Sequence, residues 1–201
     1  MTRSLVFFAS VLTAILVFGC FDLEMPDKIV FDAEGMWCDV ASDLCWQNPA
    51  GDQTYMANAA PDYCDELTLE GYSDWRLPTI SELRTLIRGW DTTMTGGSCG
   101  VTDECLDWEE CWDDSCLGDE YWGGTGGGDC YWVDEAVGIC ESYWSSSPCS
   151  YPLDMQWGVD FARGEVLFSP DMEYRHARCV RDGPDADTDS DTDTDAGTLT
   201  Q

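Results

Sequence analysis

The residues of this chain that could do chemistry are twelve cysteines, one histidine, 40 carboxylates and ten tryptophans. Thiolates that hold zinc come at C-x2-4-C spacing, often with histidine. The crowded stretch here runs Cys99-x5-Cys105-x5-Cys111-x4-Cys116, which is not zinc spacing, and His176 is the only imidazole. In an exported chain such density means disulfides. Cys38–Cys45 and Cys130–Cys140 are the expected local pairs. With Cys20 set aside eleven cysteines remain, so one is free, intermolecular or paired with an unlipidated Cys20.

Catalytic constellations find little support. A Ser-His-acid or Cys-His arrangement must use His176, which lies in Tyr174-Arg175-His176-Ala177 with no evident nucleophile, and Ser145–Ser147 lack a nucleophile-elbow context. Thirty-three acids precede the C-terminal tail, so any chosen pair for glycoside cleavage means nothing without geometry. No catalytic residue is assigned and the expectation is a non-enzyme. The run Gly126-Gly127-Gly128 lacks a following Gly-Lys-Ser/Thr and sits among Asp119, Glu120 and Asp129, so it is no phosphate cradle. Calcium has only a near miss, Trp112-Asp113-Asp114, and no cofactor or metal is expected. Binding is more credible. Trp108, Trp112, Tyr121, Trp122, Tyr131 and Trp132 could offer stacking faces to sugars, with carboxylates bonding the hydroxyls. The competing reading makes them the small core of their own loop.

The elements that must position these residues read as α+β, with two helices early and a small antiparallel sheet late. A first helix covers Ala57–Leu67 with Pro61 in its first turn. A second follows Leu77-Pro78, where Thr79 and Glu82 form a capping box and Ile80, Leu83, Leu86 and Ile87 share one face to about Arg88. Arg84 and Arg88 lie towards its C-terminal half, where cations suit the helix dipole. The period then becomes two: Met155–Phe161 alternates, Arg163-Gly164 turns, and Glu165–Phe168 returns as the second hairpin strand. Trp144–Ser147 is another short strand, and a final strand fits Tyr174–Arg181, with Ala177, Cys179 and Arg175 on one face. Between Trp90 and Cys140 lies a long glycine-rich loop, which disulfides would staple.

The ends carry the address. Arg3 precedes the uncharged stretch Leu5–Gly19, fifteen residues that as a helix span about 22 Å, short of a ~30 Å bilayer core. Residues 1–20 therefore read as a lipoprotein-type signal peptide, and Leu16-Val17-Phe18-Gly19-Cys20 resembles a lipobox with Cys20 as the lipidated residue. Ordinary secretion, with Cys20 removed or disulfide-bonded, is the alternative. Residues 21–35 read as a linker, 36–181 as the domain, and 182–201 as an Asp/Thr-rich tail too polar to fold. The expected location is extracytoplasmic, lipid-anchored at the bacterial outer membrane or cell surface. The chain's formal charge is −31, and residues 21–181 alone hold 33 acids and eight bases. Nucleic acid and sulfated polyanions are excluded as partners on that ground.

Leu44-Cys45-Trp46-Gln47-Asn48-Pro49, Tyr63-Cys64 and Gly71–Leu83, which contains Asp74-Trp75-Arg76-Leu77-Pro78-Thr79 and Glu82, resemble the Lcl C-terminal domain family. Tyr143-Trp144-Ser145-Ser146, the Trp157–Phe161 strand and the closing Ala177-Arg178-Cys179-Val180-Arg181 continue the pattern in order. The resemblance covers about residues 36–181, and the cysteine-rich middle is similar to surface lipoprotein variants of that family. It implies a C-type-lectin-like α+β fold, also similar to formylglycine-generating enzymes, whose copper-binding cysteine pair has no counterpart motif here. It also implies that a disulfide ties the first helix to the last strand, hence Cys64 to Cys179. The Asp74–Glu82 block is expected to serve the fold, with Arg76 paired to a buried carboxylate. The function expected is adhesion or binding of a glycan or surface-protein ligand. A structural surface protein that self-associates through its unpaired thiol is the second reading.

Overall fold

A computed structural model describes residues 30–183 except 34, 40, 120–129 and 152. In chain order its elements are β1 (Val30–Ala33), β2 (Gly35–Asp39), β3 (Leu44–Asn48), β4 (Thr54–Tyr55), α1 (Ala60–Asp65), α2 (Ile80–Arg84), α3 (Trp108–Cys111), β5 (Ser142–Pro148), β6 (Met155–Asp160), β7 (Glu165–Pro170), β8 (Arg175–His176) and β9 (Val180–Asp182). The fold is α+β, with short helices, antiparallel sheets and five disulfides among the described residues. One sheet has the order β1-β2-β3-β9 and the other β4-β8-β5-β6-β7. Among the pairings between these strands, β5–β8 is the parallel one, through the bridge Tyr143 to His176.

Helix α2 begins where its side chains say it should. Thr79 Oγ1 accepts from the Glu82 N–H at 3.2 Å, and Glu82 Oε2 accepts from the Thr79 N–H at 2.8 Å. Ile80, Leu83, Leu86 and Ile87 are buried with Trp132, Tyr143, Trp157, Val159, Phe161 and Val166 in the main core. Full burial of each large apolar side chain stabilises by roughly 1.5–3 kcal/mol. A second core gathers Met36, Ala57, Ala60, Trp75, Leu77, Trp144 and Ala177 around the buried bridges Cys38–Cys45 and Cys64–Cys179. Cys38 and Cys45 are directly paired residues of β2 and β3. The bridge from Cys64 in α1 to Cys179 beside β9 spans 115 residues.

The hairpin of β6 and β7 has the expected register, with Asp160 opposite Glu165 and Met155 opposite Pro170. Gly164 closes its turn at φ +67°, and a Cβ there would lie 3.0 Å from Trp90 Cβ and 3.1 Å from the Tyr131 ring. Left-handed backbone and missing space both require glycine.

Several expectations are corrected. Strands do not come only late: β1 to β4 precede α1, and β1 occupies residues 30–33 of the segment read as linker. Helix α1 is shorter than 57–67, because residues 57–59 form a turn and the Leu67 N–H folds back to the Cys64 carbonyl. The final strand is two. β8 pairs in one sheet and β9 in the other, and the chain crosses between them at Ala177–Cys179, where Cys179 accepts from the Gln47 N–H at 2.9 Å. The stapled loop is no satellite: Cys99–Cys116, Cys105–Cys111 and Cys130–Cys140 join residues whose side chains belong to the main core. The signal segment with Cys20, the tail beyond residue 183 and the glycine run lie outside the described residues.

Candidate functional site

The Asp74–Glu82 block is a clasp. Arg76 exchanges both backbone hydrogen bonds with Val180 at 2.8 Å, so the block is bridged to β9. Asp74 takes three hydrogen bonds from Arg181 at 2.9–3.1 Å, and Arg181 also covers the Tyr72 ring at 3.9 Å. Those bonds hold the Asp74 carboxyl below its ordinary value. Trp75 and Leu77 point into the second core, and Pro78 is buried behind them. Arg76 departs from expectation. Its partners are Glu82, at 2.7 and 2.6 Å, and Asp182 at 2.9 Å. Glu82 is only partly buried and the Asp182 side chain is 63% exposed, so the pair sits at the surface. One carboxylate thus serves both the helix cap and the arginine.

The described members of the aromatic row do not form an open platform. Trp132 is 1% exposed, wedged against Tyr143 and Phe161, and Tyr131 is 4% exposed with its hydroxyl donating to Asp119 at 2.8 Å. Neither offers a face to a sugar, which corrects that assignment. Trp108 and Trp112 are half-buried on Phe168, and Trp112 Nε1 donates to the Val166 carbonyl at 2.9 Å. These positions pack the loop against the main core, so they form no separate core of the loop. Tyr121 and Trp122 lie outside the described residues.

Cys149 is the free cysteine of the described set, and it is buried. Its Sγ meets the Tyr151 carbonyl at 2.9 Å, and burial pushes the thiol's pKa up. A protonated, enclosed sulfur is poorly placed for intermolecular bridging, contrary to the self-association reading. Among the described residues no three His, Cys, Asp or Glu side chains converge as metal ligands.

A polar cleft of about 180 Å³ instead opens beside the β6–β7 hairpin, lined by Glu141, Ser142, Asp160, Ala162, Tyr174 and Arg175. Strand pairing sets Ser142 opposite Asp160, and the Phe161 N–H donates to the Glu141 carbonyl at 3.1 Å. Asp160 accepts from the Ala162 N–H at 2.9 Å and from the Ser142 hydroxyl. Burial nevertheless raises its pKa, opposed by Arg163 and Arg175. Glu165, across the hairpin, is raised by burial in the same way. Arg175 bonds Ser169 and, at 2.9 Å, Glu173, and lies 5.3 Å from the Trp144 ring centroid. His176, 2% exposed, reaches Glu141 at 3.3 Å and leaves Nδ1 without a partner. Tyr174 stands at the lip, 66% exposed. A perturbed carboxyl, a fixed guanidinium and a free aromatic face in one concavity mark a candidate site. Glu141, Ser142, Asp160 and Tyr174 carried no local signal in the sequence; the two acids were lost among many, and Tyr174 and Arg175 read as strand.

The surroundings are anionic because the described arginines are buried or held by acids and carbonyls. Arg84 is buried and donates to the carbonyls of Thr93, Met94 and Val101. Arg178, wholly buried, donates to the Gln47 carbonyl at 3.0 Å and the Val137 carbonyl at 2.8 Å, 5.0 Å from the Trp132 ring centroid. Desolvation lowers the pKa of both. Arg88 caps its own turn on Thr85 and Ile87, and Arg163 pairs with Glu165 at 3.1 Å. The exposed charged residues among those described are all Asp or Glu.

Residues 35–181 match the model of the Lcl C-terminal domain family, and the chain belongs to that family. No curated protein matches it.

Proposed function

Proceeding from membership of the Lcl C-terminal domain family, we propose that the chain is a non-enzymatic module displayed on the bacterial cell surface by a lipid on Cys20. There it binds uncharged or amino-bearing saccharides of a neighbouring surface or envelope. The observation that carries this reading is the cleft of Glu141, Ser142, Asp160, Tyr174 and Arg175. Sugar recognition needs fixed acceptors and donors for hydroxyls beside an aromatic face for the ring, and this cleft supplies both. Its volume equals about six waters at about 30 Å³ each, a fit for one sugar ring rather than a polymer lying lengthwise. The disulfide-dense frame suits an oxidising compartment. A C-type-lectin-like arrangement is part of the proposal, supported by the bridge from the first helix to the C-terminal strand region and by paired antiparallel sheets.

The test is a glycan array probed with the mature chain, with Glu141→Gln and Tyr174→Ala alongside. Binding to neutral or amino sugars that falls at least about tenfold in both variants is expected, the loss of one charged hydrogen bond being roughly 1.5–3 kcal/mol. Strongest retention on heparin-like chains would overturn the charge argument, and binding unchanged in both variants would remove the cleft. Mass spectrometry showing an unmodified mature N-terminus would remove the anchor.

A further inference from the structure

A larger cavity, of about 370 Å³, is walled by a different set of residues: Met56, Asn58, Asp154, Pro170, Asp171 and Met172. Two thioethers and a proline ring give it an apolar side, and two aspartates give it charge. The segments that carry the aspartates are joined, because the Asp171 N–H donates to the Asp154 carbonyl at 3.1 Å. Asp171 Oδ1 is buried with no hydrogen-bond partner. A buried acceptor left so is costly. On the cavity wall, Met172 is 76% exposed. Methionine suits such a surface because its flexible, polarizable chain adapts to the shape it meets.

We infer that this groove docks a basic side chain, Lys or Arg, on an extended segment of a partner protein. The alkyl stem lies along Met56, Pro170 and Met172, and the cationic head meets Asp171 and Asp154. Charge decides between occupants. Among the described residues, the exposed charged ones of a second copy are acids and its arginines are buried or already hydrogen-bonded to acids and carbonyls, so two copies repel. A basic partner meets the groove with complementary charge and with an anionic surround that steers its approach. The inference stands apart from the saccharide reading, since no lining residue is shared.

The experiment uses the mature chain carrying methyl-labelled methionine, titrated with acetyl-Leu-Lys-Leu-amide and with its Glu and norleucine counterparts. Saturable shifts confined to the Met56 and Met172 methyls are expected with the lysine peptide alone. They should weaken at least about tenfold in Asp171→Asn, a tenfold change being 1.4 kcal/mol, and persist in Glu141→Gln. Equal response to the norleucine peptide would reduce the groove to an apolar contact, and no saturable shift would end the proposal. Concentration-dependent shifts without peptide would hand the groove to a second copy. Loss of the free-state methyl positions in Lys28→Gln would hand it to the chain's own N-terminal segment. Either of those results also overturns the partner assignment.

Discussion

At the scale of single residues the arginines divide by partner type. Arg76 and Arg181 take carboxylates at the surface clasp, whereas Arg84 and Arg178 are buried on backbone carbonyls with no carboxylate bonded. A buried guanidinium need not have a counter-ion if its fork donors find fixed dipoles and its plane finds aromatic faces. Arg178 does both, between Gln47, Val137 and Trp132. Arg178→Ala should therefore cost about 3 kcal/mol, combining a cavity beneath Trp132 with two orphaned carbonyls. Arg178→Lys should recover only part of that, since an ammonium cannot fork between the two. Urea unfolding of the three proteins checks it, and an Ala variant within 0.5 kcal/mol or so of the parent would place Arg178 among neutral surface substitutions. For Arg76 the expected acid is there, in Glu82 and Asp182, but it lies at the surface instead of buried. Arg178's acceptors lie 131 and 41 residues away and are main-chain atoms, which residue types cannot advertise.

At the scale of elements, what was legible was local. The capping box needs only Thr79 and Glu82, and the hairpin needs only period two around Arg163-Gly164, so both follow from a few neighbouring residues. The division of residues 174–182 between two sheets was not legible. It depends on Gln47 receiving Cys179 and on Arg76 bridging Val180, contacts made by chain far away in sequence. The cleft was hidden for the same cause: it assembles Glu141 and Ser142 from the start of β5, Asp160 from β6 and Tyr174 from the loop before β8. Within the hairpin, Gly164→Ala should destabilise by about 2 kcal/mol, because φ is positive and the added methyl meets Trp90 and Tyr131. Thermal unfolding would register a lowered Tm. An unchanged Tm would mean the turn relaxes without cost.

Across the whole molecule, covalent closure and charge act on one fold in opposite directions. A bridge spanning 115 residues restrains the unfolded chain by an amount the chain-entropy model puts at about 4–5 kcal/mol. The net charge of −31 works against compaction through self-repulsion. Against that background the individual carboxyls carry opposite pH signatures. Asp74 is lowered by Arg181, so its stabilisation is present above the ordinary value near 4 and vanishes as pH falls through its folded value. Asp160 and Glu165 are raised by burial. Their stabilisation is full below the ordinary value and is lost as pH climbs through the raised ones. Replacing both by Asn and Gln should therefore flatten the decline in stability as pH rises above about 4, whereas Asp74→Asn should weaken the protein at pH 7 and matter progressively less as pH falls below about 4. Differences between parent and variant cancel most of the common self-repulsion, so urea midpoints at three pH values isolate the local effect. A steeper decline with rising pH in the Asp160/Glu165 variant would mean that Arg163 and Arg175 outweigh desolvation at these two carboxyls.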